Sequence, residues 1–178
     1  MGALSIQGKR VFIAVRIPRH VARELAGVHE AISPFFGGRF TQPGSLHVPL
    51  KYLKESDDRT IGRVERALAN ASLSHVIARI DGFGTNEDTI WANVHGLSGL
   101  QRSLDNALRT IATPEQRFTS QLTIAHVTHT TNEAGLRAAL KALHVPVTWS
   151  VETVELVETN GTRYETIGTY PIESRILA

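Results

Sequence analysis

The chain has 178 residues, 42% of them apolar and 20% charged, the profile of a soluble globular fold of one domain or two small lobes. It holds no cysteine, which excludes disulfides, thiolate metal sites and cysteine nucleophiles, and fits a reducing, cytoplasmic setting. No apolar run nears the roughly 18 residues of a membrane span. Residues 1–8 lack the basic-then-apolar order of a signal peptide, so a membrane role is not expected. The formal charge of +2 is uneven: residues 1–66 carry eleven Lys/Arg against six Asp/Glu, and the remainder eight against eleven. A basic first part suits an anionic ligand such as phosphate or RNA. It also suits a solvated arginine-rich helix face through Arg19, Arg23, Arg59, Arg63 and Arg66.

In chain order, the β-branched apolar run at 9–17 predicts a buried strand. Pro18 then sits where a helix can begin, and Val21, Leu25, Val28 and Ile32 follow at helical spacing. Pro34 with Gly37-Gly38 ends that helix. A short apolar run at 46–53 predicts a strand, and Asp57-Asp58 opens a helix with Ile61, Val64 and Leu68 on one face. Strands are expected at 75–83 and 89–94, joined by a turn-rich segment. Ser98 is the expected N-cap of a helix carrying Leu100, Leu104, Leu108 and Ile111. A strand at 121–127 follows, then a helix capped by Thr131 or Asn132 with Leu136, Ala139, Leu140 and Leu143. Runs at 147–158 and 163–170 flank Asn160-Gly161, a strong hairpin signal. The order β-α-β-α-β-β-α-β-α-β-β predicts an α+β fold, with a strand-helix unit and a hairpin in each half.

Two segments are comparable between the halves. In Leu46-His47-Val48-Pro49-Leu50-Lys51-Tyr52-Leu53, His47 and Pro49 share a strand face. In Ser120-Gln121-Leu122-Thr123-Ile124-Ala125-His126-Val127, Gln121 and Thr123 do. Polar residues at alternate positions of an apolar strand either line a cleft or sit on the outer face of a half-exposed sheet, and the residues alone leave both open.

These segments resemble motifs of the two-histidine phosphoesterase superfamily, most closely the 2′-5′ RNA ligase-like RNA 2′,3′-cyclic phosphodiesterases. Arg39-Phe40-Thr41-Gln42-Pro43-Gly44-Ser45 followed by the first segment is similar to that family's first His-x-Thr motif and its aromatic lead-in. Phe118-Thr119 followed by the second segment is similar to the second motif. The opening residues 10–18, the Thr89-Ile90-Trp91 hairpin and Gly161-Thr162-Arg163-Tyr164-Glu165 also fit in order. The resemblance implies one two-lobed domain over 1–178, a monomer: a bilobal, pseudo-symmetric pair of antiparallel sheets around a central cleft, helices outside. It implies hydrolysis of 2′,3′-cyclic phosphate ends of RNA or nucleotides to 2′-phosphomonoesters, one histidine acting as general base and the other as general acid. No cofactor is implied, and the sequence offers no persuasive set of metal ligands.

Carried onto this chain, the resemblance assigns catalysis to His47, Gln121 and Thr123. Pro49, Lys51, His126, Tyr164 and Phe12 become the substrate and phosphate contacts. Three positions depart from the motif. Gln121 stands at the second histidine, and an amide cannot exchange a proton near neutral pH. Pro49 stands at the first threonine, removing a hydroxyl and a backbone N–H and implying an edge strand or a bulge. His126 stands at an arginine position; to face the same side as Gln121 it requires a bulge or the strand's end. The expected function is therefore an impaired phosphodiesterase, the alternative a non-catalytic module that binds RNA ends or nucleotide phosphates, or a vestigial cleft. His20, His29, His75, His95, His129 and His144 read as surface or packing residues.

Overall fold

The computed structural model describes residues 8–161 and 163–173. Residues 1–7, Thr162 and residues 174–178 lie outside that range. Four helices and nine strands follow in the order β1 (Lys9–Arg16), α1 (Arg19–Ile32), β2 (Phe36–Phe40), β3 (His47–Ser56), α2 (Asp58–Ala69), β4 (Val76–Thr85) and β5 (Thr89–His95). The chain continues with α3 (Ser98–Ala107), β6 (Gln121–Thr130), α4 (Glu133–Ala142), β7 (Thr148–Val151), β8 (Thr153–Asn160) and β9 (Arg163–Pro171).

The strands form two antiparallel sheets, β3-β1-β8-β9 and β2-β6-β5-β4-β7. This is the expected α+β class, with one correction to how the halves divide. The lobes are interleaved in sequence, because β2 leaves the first sheet for the second and β8–β9 return to the first. The run at 147–158, expected as one strand, is two: β7 joins β4, the chain crosses at Glu152, and β8 joins β1.

A second correction concerns Gly37-Gly38, expected as a helix stop. They belong to β2, where they let it press onto β6. A Cβ at Gly37 would strike the His129 ring, and one at Gly38 the His126 carbonyl. Capping follows the sequence at two helices: Asp57 accepts from Thr60 N at 2.7 Å and Asn132 from Gly135 N at 2.8 Å. Ser98 does not cap α3; it is the first helical residue, and Leu97 precedes it without a side-chain bond.

The four helices bury one face each into a common core. Val21, Leu25, Val28 and Ile32 of α1 pack there with Val11, Ile13 and Val15 of β1, each contributing roughly 1.5–3 kcal/mol. Alternate residues of β1 point the other way: Phe12 and Ala14 form a separate small cluster with Val157. That opposite face is the floor of the cleft.

Candidate active-site cleft

Strands β3 and β6 make contact between the two sheets, and a cleft of about 460 Å³ opens beside them. From the first sheet Phe12, His47, Pro49, Tyr52 and Tyr164 line it; from the second, Arg39, Thr123 and His126. The 42–45 turn closes one end with Gln42 and Ser45.

Two bulges decide which side chains arrive there. β3 is an edge strand, where a residue without an N–H is tolerated. Pro49 pairs with Ala14 and Lys51 with Ile13, so Leu50 is an extra residue. The alternation that would put residues 47, 49 and 51 on one face reverses there. Tyr52 is delivered to the cleft beside Phe12, and Lys51 is turned into the core. Lys51 is therefore not a phosphate contact. It is 1% exposed, and its ammonium donates to Asp105 Oδ1 at 2.5 Å and Thr113 O at 2.7 Å.

The second bulge lies in β6. Trp91 pairs with Thr123 and Ile90 with Ala125, so Ile124 is extra. The phase shift turns His126 onto the face shared by Gln121 and Thr123. Arg39 of β2 sits directly across the ladder from His126. Arg39 and His126, paired across the ladder, line the cleft together with Thr123. Position 126 thus has a cationic neighbour on another strand, a pairing between the first motif's lead-in and the second motif that the linear sequence does not display.

Gln121 lines an adjoining groove of about 320 Å³ rather than the cleft that holds His47. Pro49, Tyr52 and Thr123 line both spaces and stand between them.

His47 is nearly buried and held at both ring nitrogens. Nδ1 lies 3.0 Å from Ser45 O, and Nε2 lies 3.3 Å from Glu155 Oε2. Glu155 projects from β8 opposite Ala14, whose small side chain leaves the space through which the carboxylate reaches His47 two strands away. Arg16 Nε donates to Glu155 Oε1 at 2.8 Å, and the Thr166 hydroxyl to Oε2 at 3.0 Å. Burial alone favours the neutral acid. The bonds from Arg16 and Thr166, with the charges of Arg16 and His47, outweigh it and hold the Glu155 carboxyl below the ordinary glutamate range.

Beside His47, three aromatic rings form a shelf. Phe12 lies 5.7 Å from Tyr52 and 5.9 Å, edge-on, from Tyr164. Tyr52 and Tyr164 are 63% and 46% exposed, unusual for aromatic side chains next to a buried polar cluster. The other histidines stay outside the cleft lining: His29 packs on Phe40 at 4.0 Å and His75 bonds the Ser150 hydroxyl. Among the described residues no group of three His, Asp or Glu gathers as metal ligands. None of the described helices is long and apolar enough to cross a membrane.

Two antiparallel sheets thus meet at a polar cleft to which each contributes a histidine, His47 from the first and His126 from the second. The model of the 2′-5′ RNA ligase superfamily matches residues 14–163, and the chain belongs to that family. Among solved structures it is similar to E. coli LigT complexed with 3′-AMP, with a TM-score of 0.74 at 15% identity over 94% of this chain and 99% of that one. It is also similar to TT0787 of Thermus thermophilus, with a TM-score of 0.66 at 21% identity over 93% and 99%. The MHV ns2 PDE domain shares the fold at a TM-score of 0.58 and 13% identity, over 85% and 99%. A comparison with curated protein sequences finds no match.

Proposed function

We propose that this chain is a cyclic phosphodiesterase that opens 2′,3′-cyclic phosphate ends of RNA or nucleotides to 2′-phosphomonoesters, with His47 and His126 as the titrating pair. The observation that carries the reading is the β6 bulge at Ile124, which brings a second imidazole into the cleft of His47 although Gln121 occupies the motif position. Imidazole serves as acid or base near neutral pH. In this reading Arg39 and the Thr123 hydroxyl, both in the cleft lining, hold the phosphoryl oxygens, a charge-assisted contact and a neutral one. The shelf of Phe12, Tyr52 and Tyr164 offers a stacking surface for the nucleobase next to that phosphate. Solved relatives carry nucleotides, among them 3′-AMP and ATP in E. coli LigT, which supports a nucleotide ligand for this cleft.

A second reading, a binding module without turnover, draws on Gln121 and Pro49, which leave the linear motifs short of one histidine and one hydroxyl. Incubation of the protein with a 2′,3′-cyclic nucleotide separates the two. The enzyme reading predicts a 2′-monophosphate by 31P NMR, lost in His47→Ala. Saturable binding without any product establishes the module instead.

A further inference from the structure

The basic excess of the first third of the chain has so far no task, and its clearest case is Arg19 with Arg23 on α1. The two stand four residues apart, a spacing at which like charges repel, and no acidic residue lies three or four positions from either. Among the described residues neither has a carboxylate partner, whereas Lys9, Arg10, Arg79 and Arg137 each do. Both line a groove of about 730 Å³ between α1 and the turn at 42–45. Arg16, its third cation, is already matched by Glu155. The rest of the lining is apolar, Ala22, Ala26 and Pro43 among it, and no described carboxylate takes part. The groove also continues the cleft. Gln42 and Ser45 of the turn line the cleft of His47, while Pro43 and Gly44 of the same turn line the groove. Arg16 joins the two spaces, donating to Gly44 O at 2.6 Å and to Glu155, which contacts His47.

We propose that this groove is a subsite for the phosphodiester backbone of single-stranded RNA, so that the chain takes an oligoribonucleotide in preference to a mononucleotide. The proposal rests on the reading above that a phosphate-ended nucleotide sits in the cleft. A 2′,3′-cyclic phosphate occupies both lower hydroxyls of the last ribose, so every further nucleotide is joined through its O5′ and leaves the cleft from that side. The strand crosses the 42–45 turn, and its next phosphates meet Arg23 and Arg19. Four helical residues advance about 6 Å along the axis, comparable to the step from one backbone phosphate to the next. Phosphate contacts fix position and carry no sequence information. Since the remaining lining is apolar, the subsite selects for length and not for sequence.

Arg19→Glu/Arg23→Glu tests the subsite. Both side chains are exposed, and an acid at position 19 suits the first helical turn, so the melt should hold. Arg19→Gln/Arg23→Gln, which removes the charges without reversing them, serves as the milder variant. Calorimetric titration compares a nucleoside 3′-monophosphate with a hexaribonucleotide carrying the same 3′-phosphate, neither of which presents a cyclic ester to be opened. The unmodified protein should bind the hexanucleotide at least about tenfold more tightly, with a log-log salt slope steeper by about 1.4, roughly 0.7 for each of two contacts. Both variants should lose that gain and that slope, and should bind the monophosphate within about threefold of the unmodified protein at 0.15 M salt, where distant charges are screened. Arg59→Glu/Arg102→Glu makes the same change of net charge at exposed residues of α2 and α3 that line neither space, and should keep the length preference. Equal affinity for the two probes, no binding of the hexanucleotide, or an equal loss in Arg59→Glu/Arg102→Glu overturns the proposal. The hydrolytic reading is scored separately on a 2′,3′-cyclic mononucleotide. Turnover without a length preference sinks the subsite alone, and a length preference that depends on Arg19 and Arg23 without turnover sinks the hydrolytic reading alone.

Discussion

Truncating Asp105 to alanine should destabilise the protein more than any single change in the cleft, because it strands the ammonium of Lys51. That ammonium is 1% exposed and has two acceptors, Asp105 Oδ1 and the Thr113 carbonyl. Leaving a buried charge with a neutral carbonyl alone costs about 3–5 kcal/mol. For a domain of this size each kcal/mol moves Tm by about 2–4 °C, so the melt should fall by roughly 6–20 °C. The reverse truncation, Lys51→Met, should cost less, about 1.5–3 kcal/mol. Asp105 keeps donors from Gln101 Nε2 at 2.8 Å and the Glu115 amide at 3.1 Å and retains some solvent contact. Burial alone would raise the Asp105 carboxyl, but the bonds from Lys51, Gln101 and Glu115 outweigh it and hold it below the ordinary aspartate range. Its stabilisation is therefore complete above that range and lost as pH falls through the lowered folded value. Thermal melts across acid pH and phosphate titrations on Lys51→Met are the assays. A Lys51→Met protein that melts normally but loses tenfold or more in phosphate affinity would refute the burial argument and restore Lys51 to the cleft.

Arg39→Ala should weaken nucleotide binding by about 10–100-fold, the equivalent of 1.5–3 kcal/mol for a charge-assisted bond, with the melt unchanged because the side chain is exposed; calorimetric titration reads it. Joint replacement of Tyr52 and Tyr164 by alanine should weaken a nucleotide by about 1–3 kcal/mol per lost stack while leaving inorganic phosphate untouched, measured by competition. Gln121→His adds an imidazole to the neighbouring groove rather than to the cleft of His47, so steady-state kcat on a cyclic nucleotide should change by less than about tenfold.

Much of the fold was legible because periodicity survives where packing is regular. The faces of α1 and α2 and the Asn160-Gly161 hairpin follow from apolar spacing and turn chemistry. The exceptions share a cause: each depends on a partner strand that the local sequence does not display. Gly37-Gly38 look like a helix stop until β6 is seen against them. Glu152 looks like mid-strand until β7 and β8 are seen to join different sheets. In the cleft, alternation assigned faces to residues 47–53 and 121–127 under a constant phase, and the bulges at Leu50 and Ile124 break it. Pro49 announced the first bulge as a possibility, and His126 called for either a second bulge or the strand's end, of which the structure has the bulge. Glu155 carried no such signal, and Arg39 was visible only as the first residue of the motif's aromatic lead-in. Glu155 sits in a run that reads as plain buried strand, and Arg39 reaches the cleft only through its register with His126.

If two imidazoles from different sheets act on one phosphate, replacing His126 removes one of them. His126→Gln keeps a polar side chain of similar reach but removes the titrating ring. Single-turnover hydrolysis of a 2′,3′-cyclic nucleotide by this variant and by the unmodified protein, with nucleotide affinity measured alongside, should show a rate loss of about 10²–10⁴-fold at near-constant affinity. An unmodified protein that hydrolyses the nucleotide, paired with a His126→Gln variant that does so equally fast, would rule out a catalytic part for His126.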